Sequence, residues 1–361
     1  MLLNQETVMS VLKRVKEPEL GRDIVSLDMV RDVVIKGKDL FLTVVLTTPA
    51  CPLKETIKNE IDREIKSAIP EVGTIEVTWS AEVKSRRIPS ANDKRIPGVK
   101  NVIAVGSGKG GVGKSTVAVN LALALKSEGA SVGILDADIY GPSLPMMFGV
   151  KEEEKPKIIG DSRIEPIERY GIKIMSMGFL LPSTEAIIWR GPMLGKMLQQ
   201  FLEQVEWGAL DYLIIDLPPG TGDVQLSLAQ LIPLSGAVVV TTPQDVALAD
   251  VKRAIKMFEV TKVPLLGLVE NMSFFECPNC QTHHEIFHRG AADRYEKLGI
   301  PLLGEIPLET TTSVSGDEGR PVVVKDPESP QAKRFIDFAR QVAAHQSVTN
   351  FQEPVELPAL H

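Results

Sequence analysis

Residues 106 to 116 read GSGKGGVGKST, and within them Gly108, Lys109, Gly110, Gly111, Val112, Gly113, Lys114 and Ser115 fit G-x-x-x-x-G-K-[ST], with Thr116 following. This pattern suits phosphate binding. Glycines let backbone N–H groups turn inward around an anion, and a helix N-terminus adds partial positive charge. Lys114 neutralises the β- and γ-phosphates and Ser115 ligates Mg²⁺. The same letters satisfy G-x-G-x-x-G at Gly106, Gly108 and Gly111. A hydride-transfer enzyme, however, has no need of the Gly113-Lys114-Ser115 continuation, so the loop reads as a nucleoside triphosphate site. Lys109 is then a second lysine where the motif requires one.

Two further stretches carry chemistry that such a loop needs. Asp136-Ala137-Asp138 closes one apolar run and Asp216-Leu217-Pro218-Pro219-Gly220 follows another. In a parallel sheet, strand ends of this kind meet at the carboxyl edge beside the phosphate loop. Asp216 is expected to hold Mg²⁺ through its water shell, and Asp138 to orient or activate the attacking water, while Asp136 has the alternative of capping a helix. Cys277-Pro-Asn-Cys280 precedes His283 and His284. Two thiolates at this spacing bind one metal, yet zinc or a [4Fe–4S] cluster takes four ligands. The remaining ligands could be these histidines, giving Cys₂His₂ zinc, or a second cysteine pair from another chain. A dithiol redox pair is a third option, although that motif usually opens a helix. Cys51 sits at an expected strand-to-helix junction, where a helix N-terminus can lower a thiol pKa and suit it to bind or relay a cluster; a plain semi-buried cysteine is the alternative.

The elements that must position these residues follow from periodicity. VIAVG, SVGILD, DYLIID, GAVVVT and LLGLVE are near-continuous apolar runs, alternating with helical segments. Strands covered on both faces by helices look like this. Over 101–345 the reading is therefore an α/β P-loop NTPase domain with a mostly parallel sheet covered by helices, ending in a helix that presents Phe335, Phe338, Ala339 and Val342 on one face. Ahead of it, Val8, Val11, Leu12 and Val15 mark a helix. Two β-rich runs flank Lys36-Gly37-Lys38-Asp39 as a hairpin, Leu53, Ile57, Ile61 and Ile65 mark a second helix, and TIEVTW a third strand. This α-β-β-α-β order makes residues 1–85 a small α/β domain. Residues 86–100, charged and carrying two prolines, read as a linker, and 346–361 as a loose tail.

Bulk properties narrow the class. With 361 residues and 43% hydrophobic content, the chain is long enough for two cored domains. A net charge of −7 without a polybasic run disfavours nucleic-acid and anionic-membrane partners. The amino terminus has no continuous apolar stretch ending in a small-residue cleavage site, and no segment is apolar over the length a bilayer requires, so a cytoplasmic protein is expected. The three cysteines are an odd number and two form C-x-x-C, which in a reducing compartment indicates metal or redox chemistry.

GKGGVGKST with its extra lysine, ILDADIYGPS, LIIDLPPGTGD, VVVTTPQ and VENMS followed by CPNC occur in order. Together they resemble the Mrp/ApbC family of P-loop ATPases, iron–sulphur cluster carriers related to the MinD and ParA ATPases and to the nitrogenase iron protein. The amino-terminal EPELGRDIVSLDMV and TTPACPLK resemble the iron–sulphur assembly domain often fused in front of them. The resemblance implies a homodimer in which Lys109 reaches the partner's nucleotide, Asn271 contacts adenine and Asp138 is the residue most needed for hydrolysis. It also implies a bridging [4Fe–4S] cluster on Cys277 and Cys280 of both chains, and apo client proteins and assembly factors as partners. A positioning switch of the MinD or ParA type with a structural zinc is the rival reading. The sequence departs from the family pattern at FHRGAADRY, which has Gly290 as its one glycine, and at LETTTSVSGDEG, where three threonines stand in place of an arginine-containing stretch.

Overall fold

The computed structural model describes residues 2–85, 96–160, 162–179, 191–277, 279–280, 282–288 and 294–352. The amino-terminal unit has the expected order: α1 (Gln5–Leu12), β1 (Val30–Lys36), β2 (Asp39–Leu46), α2 (Lys54–Ala68) and β3 (Ile75–Ala81). Strands β1 and β2 are antiparallel across Gly37-Lys38, and Gly37 adopts φ +64, the left-handed conformation that makes so short a turn accessible. β3 returns parallel to β2, which the intervening α2 makes possible. Val8, Val11, Leu12, Ile57, Ile61 and Ile65 are buried together against alternate residues of β2, so the spacing of both helices is explained by a single small core.

The larger unit contains the strands β4 (Val99–Ser107), β5 (Val132–Asp136), β6 (Lys157–Ile159), β7 (Arg163–Glu165), β8 (Ile167–Arg169), β9 (Ile172–Ser176), β10 (Leu210–Asp216), β11 (Gly236–Thr241), β12 (Leu265–Asn271), β13 (Phe275–Glu276), β14 (His283–His284) and β15 (Leu302–Ile306). Its helices are α3 (Lys114–Ser127), α4 (Leu144–Met147), α5 (Gly191–Gln204), α6 (Asp223–Leu231), α7 (Asp245–Val260), α8 (Thr310–Asp317), α9 (Val322–Lys325) and α10 (Pro330–Phe351). Eight strands form one sheet in the order β15-β12-β11-β4-β10-β5-β9-β8. Every pairing in it is parallel except β8 with β9. All residues of β5 and β11 are buried, which is why these strands read as unbroken apolar runs.

Two boundaries differ from the sequence reading. β4 begins at Val99, two residues inside the expected linker, because backbone pairing with Leu210 of β10 extends the strand past its apolar run. Of the rest of that linker, residues 86–95 lie outside the described residues. Residues 346–351, expected to be loose, continue α10 instead. Gln346 and Ser347 are buried there, the Gln346 amide bonds Asn350 Oδ1 at 2.8 Å, and Asn350 Nδ2 donates to Lys84 O at 2.7 Å and Asn101 Oδ1 at 2.9 Å. Polar residues carry no hydrophobic period, so side-chain hydrogen bonding hid this turn of helix from pattern reading. Phe351 packs on the core of the small unit, and a buried contact of 3.0 Å between the Thr48 and Tyr212 hydroxyls also joins the units.

Candidate functional site: a phosphate loop and a cysteine hairpin

The loop between β4 and α3 is shaped by its glycines. Gly111 and Gly113 lie at φ +77 and +79. A Cβ on Gly106 would meet the Phe258 ring at 3.2 Å, and one on Gly108 would lie 2.6 Å from Asp250 Cβ, so α7 sits against the loop with no space for side chains. Gly113 is the N-cap of α3 and offers no side chain to its first turn, which leaves those N–H groups available to an anion. Asn271, at the end of β12, donates its amide to Val112 O at 2.9 Å and braces the loop from behind. This contact is buried and structural.

Lys114 is buried, with 6% of its side chain exposed, and its ammonium lies 2.5 Å from Asp216 Oδ1, 3.3 Å from Ser115 Oγ and 3.8 Å from Asp138 Oδ2. The sheet register makes this meeting possible, since Asp216 is aligned with Asp136 on one side and Val105 on the other. Burial raises the pKa of Asp216, while Lys114 and the Ser115 hydroxyl act in the opposite direction. Its second oxygen, Oδ2, is buried with no hydrogen-bond partner among the described residues. Asp138 accepts from the N–H groups of Tyr140 at 3.2 Å and Gly141 at 3.3 Å, which fixes its carboxylate at the edge of the site.

Asp136 takes the capping alternative. Its carboxylate accepts from Asp138 N at 3.0 Å, from Ser176 Oγ at 3.0 Å and from Leu144 N, where α4 begins, at 3.3 Å. Burial, and then the neighbouring Asp216, push its pKa up to about 8. A carboxyl raised above its unfolded value of about 3.9 binds more protons in the native state, so this group lowers stability as pH rises from about 4 through 8. Nucleotide-free protein is therefore expected to become easier to denature with urea across that window. The slope, at most about 1.4 kcal/mol per pH unit from one group, should shrink in Asp136→Asn; an unchanged slope would assign the effect elsewhere.

These residues open on a cleft of ≈ 320 Å³ lined by Lys109, Lys114, Ser115, Asp138, Thr312 and Asp317, among others. Gly110, Gly111, Gly113 and Thr116 also line it, whereas Val112 is buried behind the loop. Lys109 is half-buried and makes no ion pair among the described residues. The contribution of α8 was not recognised in the sequence. The threonine run there reads as a departure from a family pattern, but Thr312, Ser313, Gly316 and Asp317 all face the cleft.

The cysteines lie on a separate feature. β13 and β14 pair antiparallel, Phe275 opposite His284 and Glu276 opposite His283, and Cys277 N donates to Thr282 O at 3.0 Å. Cys277 and Cys280 thus occupy the tip of a hairpin rather than the start of a helix, unlike the dithiol arrangement of redox enzymes. Cys280 is exposed, its Sγ 3.2 Å from Thr282 Oγ1, and contacts with Thr282 and Cys277 hold its thiol below the ordinary value. His283 stacks on Phe274, with centroids 4.4 Å apart, and its Nε2 lies 3.2 Å from Glu276 Oε2. Among the described residues, no group of three or more His, Cys, Asp or Glu is gathered to hold a metal ion. Gly290 and its neighbours at 289–293 lie outside the described residues.

Cys51 takes the plain, semi-buried alternative. α2 begins at Lys54, but burial dominates and the nearby Glu19 and Glu17 add to it, so the thiol is pushed up to about 11. Sequence reading also missed Glu270, Arg294 and Tyr295. Glu270 is fully buried and accepts hydrogen bonds from the Arg294 guanidinium and the Tyr295 hydroxyl. The available signal was a carboxylate inside LLGLVEN, because a charge in a buried strand demands a partner.

Comparison with known proteins accords with this geometry. Residues 98–343 match the family described as NUBPL iron-transfer P-loop NTPase, and residues 5–77 match one described as iron–sulfur cluster assembly protein. The chain is 48% identical over 355 residues to an iron–sulfur cluster carrier protein of Synechocystis, covering 96% of this chain and 99% of that one. It is 50% identical over 268 residues to the iron–sulfur cluster transfer protein NUBPL of Dictyostelium discoideum, covering 74% and 83%. A nucleotide-binding protein from Archaeoglobus fulgidus, solved in complex with ADP, superposes with TM-score 0.58 at 43% identity, covering 67% of this chain and 94% of that one. The Pyrococcus furiosus cell division ATPase MinD shares the fold, with TM-score 0.50 at 22% identity over 67% of this chain and 98% of that one. No helix among the described residues is long and apolar enough to cross a membrane. The chain therefore belongs to the Mrp/ApbC family of iron-transfer P-loop NTPases, with an iron–sulphur assembly-type domain at its amino-terminal end.

Proposed function

We propose that this protein is an ATP-hydrolysing carrier that holds a [4Fe–4S] cluster between the Cys277 and Cys280 pairs of two copies and delivers it to apoproteins. The observation that carries the reading is the cysteine hairpin itself. It presents two thiols at an exposed tip, directly after the strand that braces the phosphate loop, while His283 is engaged by Glu276 and Phe274. A second copy would complete four thiolates. Relatives named as cluster carriers and a cluster transfer protein support the cargo.

At the loop, Ser115 and Asp216 would hold Mg²⁺, and the buried, unpartnered Oδ2 of Asp216 suits a water of its shell. Bound there, the ion would neutralise charge on the phosphates. Lys114 would turn from Asp216 to the phosphates, the α3 N-terminus would receive their oxygens, and Asp138 would accept a hydrogen bond from the attacking water. Lys109 would act on the partner's nucleotide, so that hydrolysis depends on the closed dimer and alters its hold on the cluster.

Iron, sulphide and zinc content, with a visible spectrum, tests the reading on anaerobically purified or reconstituted protein. About four iron and four sulphide per two chains, lost in Cys277→Ala or Cys280→Ala while ATP binding persists, is expected. One zinc per chain without a stable cluster would overturn it and favour a MinD- or ParA-like switch.

A further inference from the structure

Glu270 and Asn271 are consecutive residues at the carboxyl end of β12, and their side chains leave the strand on opposite faces, as the pleat requires. Asn271 is bonded to Val112 O of the phosphate loop. Glu270 is gripped on the other face by Arg294 and Tyr295, with the guanidinium carbon 4.7 Å from the Tyr295 ring centroid. All three are buried, Arg294 at 6% exposure and Tyr295 at 7%. Cys277 and Cys280 lie between these anchors in sequence, after Asn271 and before Arg294. The root of their hairpin is pinned as well: Met272 takes a left-handed φ of +56, Ser273 N donates to Ile306 O at 3.0 Å and Leu308 N donates to Phe274 O at 2.7 Å.

An ion pair at this depth is poorly explained by stability alone, since apolar groups of similar volume would pack at no greater cost. What it provides is a directional connection between two segments. We propose that Glu270 is a positioning residue that, through Arg294 and Tyr295, ties the Asn271 brace of the phosphate loop to the segment bearing Cys277 and Cys280, so that the nucleotide state sets the placement of the two thiols. The inference rests on the reading above, in which nucleotide occupies the loop and the cysteines hold the cargo. A nucleotide that moves Val112 moves Asn271, and the adjoining Glu270 transmits that shift to the carboxyl side of the hairpin. Coupling of this kind requires an element that both sites bias, and the end of β12 is bonded to the phosphate loop through Asn271 and, through Glu270, to the segment that follows the hairpin.

The test uses the full chain without metal. Alkylation of the Cys277–Cys280 peptide by iodoacetamide is followed by mass spectrometry, with ADP and with a non-hydrolysable ATP analogue, in wild type, Tyr295→Phe and Glu270→Gln. Wild-type rates should differ between the two nucleotides by about fivefold, the lower end of ordinary coupling. In both variants the ratio should fall towards one while nucleotide affinity stays as in wild type, a pattern that a purely structural role would not produce. Variants that keep the wild-type ratio, or a wild type that does not respond, would overturn the proposal. Should Glu270→Gln fail to fold, Tyr295→Phe decides, because it deletes one hydroxyl and leaves the ion pair. Iron and sulphide content of the same wild-type protein reports separately on the cluster reading, whose failure would leave the alkylation result standing.

Discussion

Lys109→Ala is expected to slow ATP hydrolysis by about a thousandfold, the lower end of what a charge supplied in trans contributes to phosphoryl transfer, while nucleotide affinity changes little. The reason is the division of labour between the two lysines. Lys114 lies inside the site against Asp216 at 2.5 Å and, in the proposed reading, is the cation a bound nucleotide would meet within its own chain. Lys109 lines the same cleft without an ion pair among the described residues, so its charge is available at the mouth, where a second copy would approach. A charge that arrives only when two chains close stabilises the transition state more than the bound ground state. Single-turnover hydrolysis measures the loss. Mixing Lys109→Ala with Asp138→Ala chains provides the decisive control: each is inactive alone, but a mixed dimer contains one site with its own Asp138 and a Lys109 from the partner. Recovery of activity on mixing is expected. A decrease of less than about tenfold, or no recovery, would place Lys109 outside the reaction.

Lys114→Ala should be more disruptive, removing nucleotide binding and also destabilising the empty protein. Lys114 is the cation closest to a cluster of three carboxylates, Asp136, Asp138 and Asp216, the first and last fully buried. Breaking a buried pair by deleting one partner typically costs about 3–5 kcal/mol. Here the protein has a way to reduce that cost. The pKa of Asp216 is already raised by burial, and without Lys114 it rises further, so the carboxyl takes up a proton instead of remaining as an isolated charge. A folded-state pKa above the unfolded one means that stability lost at neutral pH returns as pH falls towards about 4. Urea denaturation at several pH values should show Lys114→Ala approaching wild type in acid and diverging from it above neutrality. A pH-independent difference would mean that packing of the lysine stem, not its charge, holds the site together. Under the carrier reading, the same variant should also lose cluster delivery to client apoproteins; undiminished delivery would uncouple transfer from the nucleotide.

The phosphate loop, the parallel sheet and the hairpin-containing small unit were legible along the linear chain, because each rests on local rules. Glycine spacing, strand runs such as GAVVVT and helix stripes such as Ile57, Ile61 and Ile65 are consequences of backbone conformation and burial that a short window contains. Properties set by neighbours distant in the chain were not legible there. The three aspartates could be given roles from the sequence but not partners: Asp136 is consumed by backbone and Ser176, Asp216 is paired with Lys114, and Asp138 is held by the N–H groups of a turn. Cys51 had two readings, and burial beside two glutamates, which raises its thiol, decides for the plain one. The polar end of α10 became helix through Asn350 and its partners across both units. Glu270, an anomaly within an apolar strand, acquired meaning only when Arg294 and Tyr295 were brought to it. In each case the deciding energy is an electrostatic or desolvation contribution that depends on which groups surround a side chain, and a linear pattern does not encode that environment.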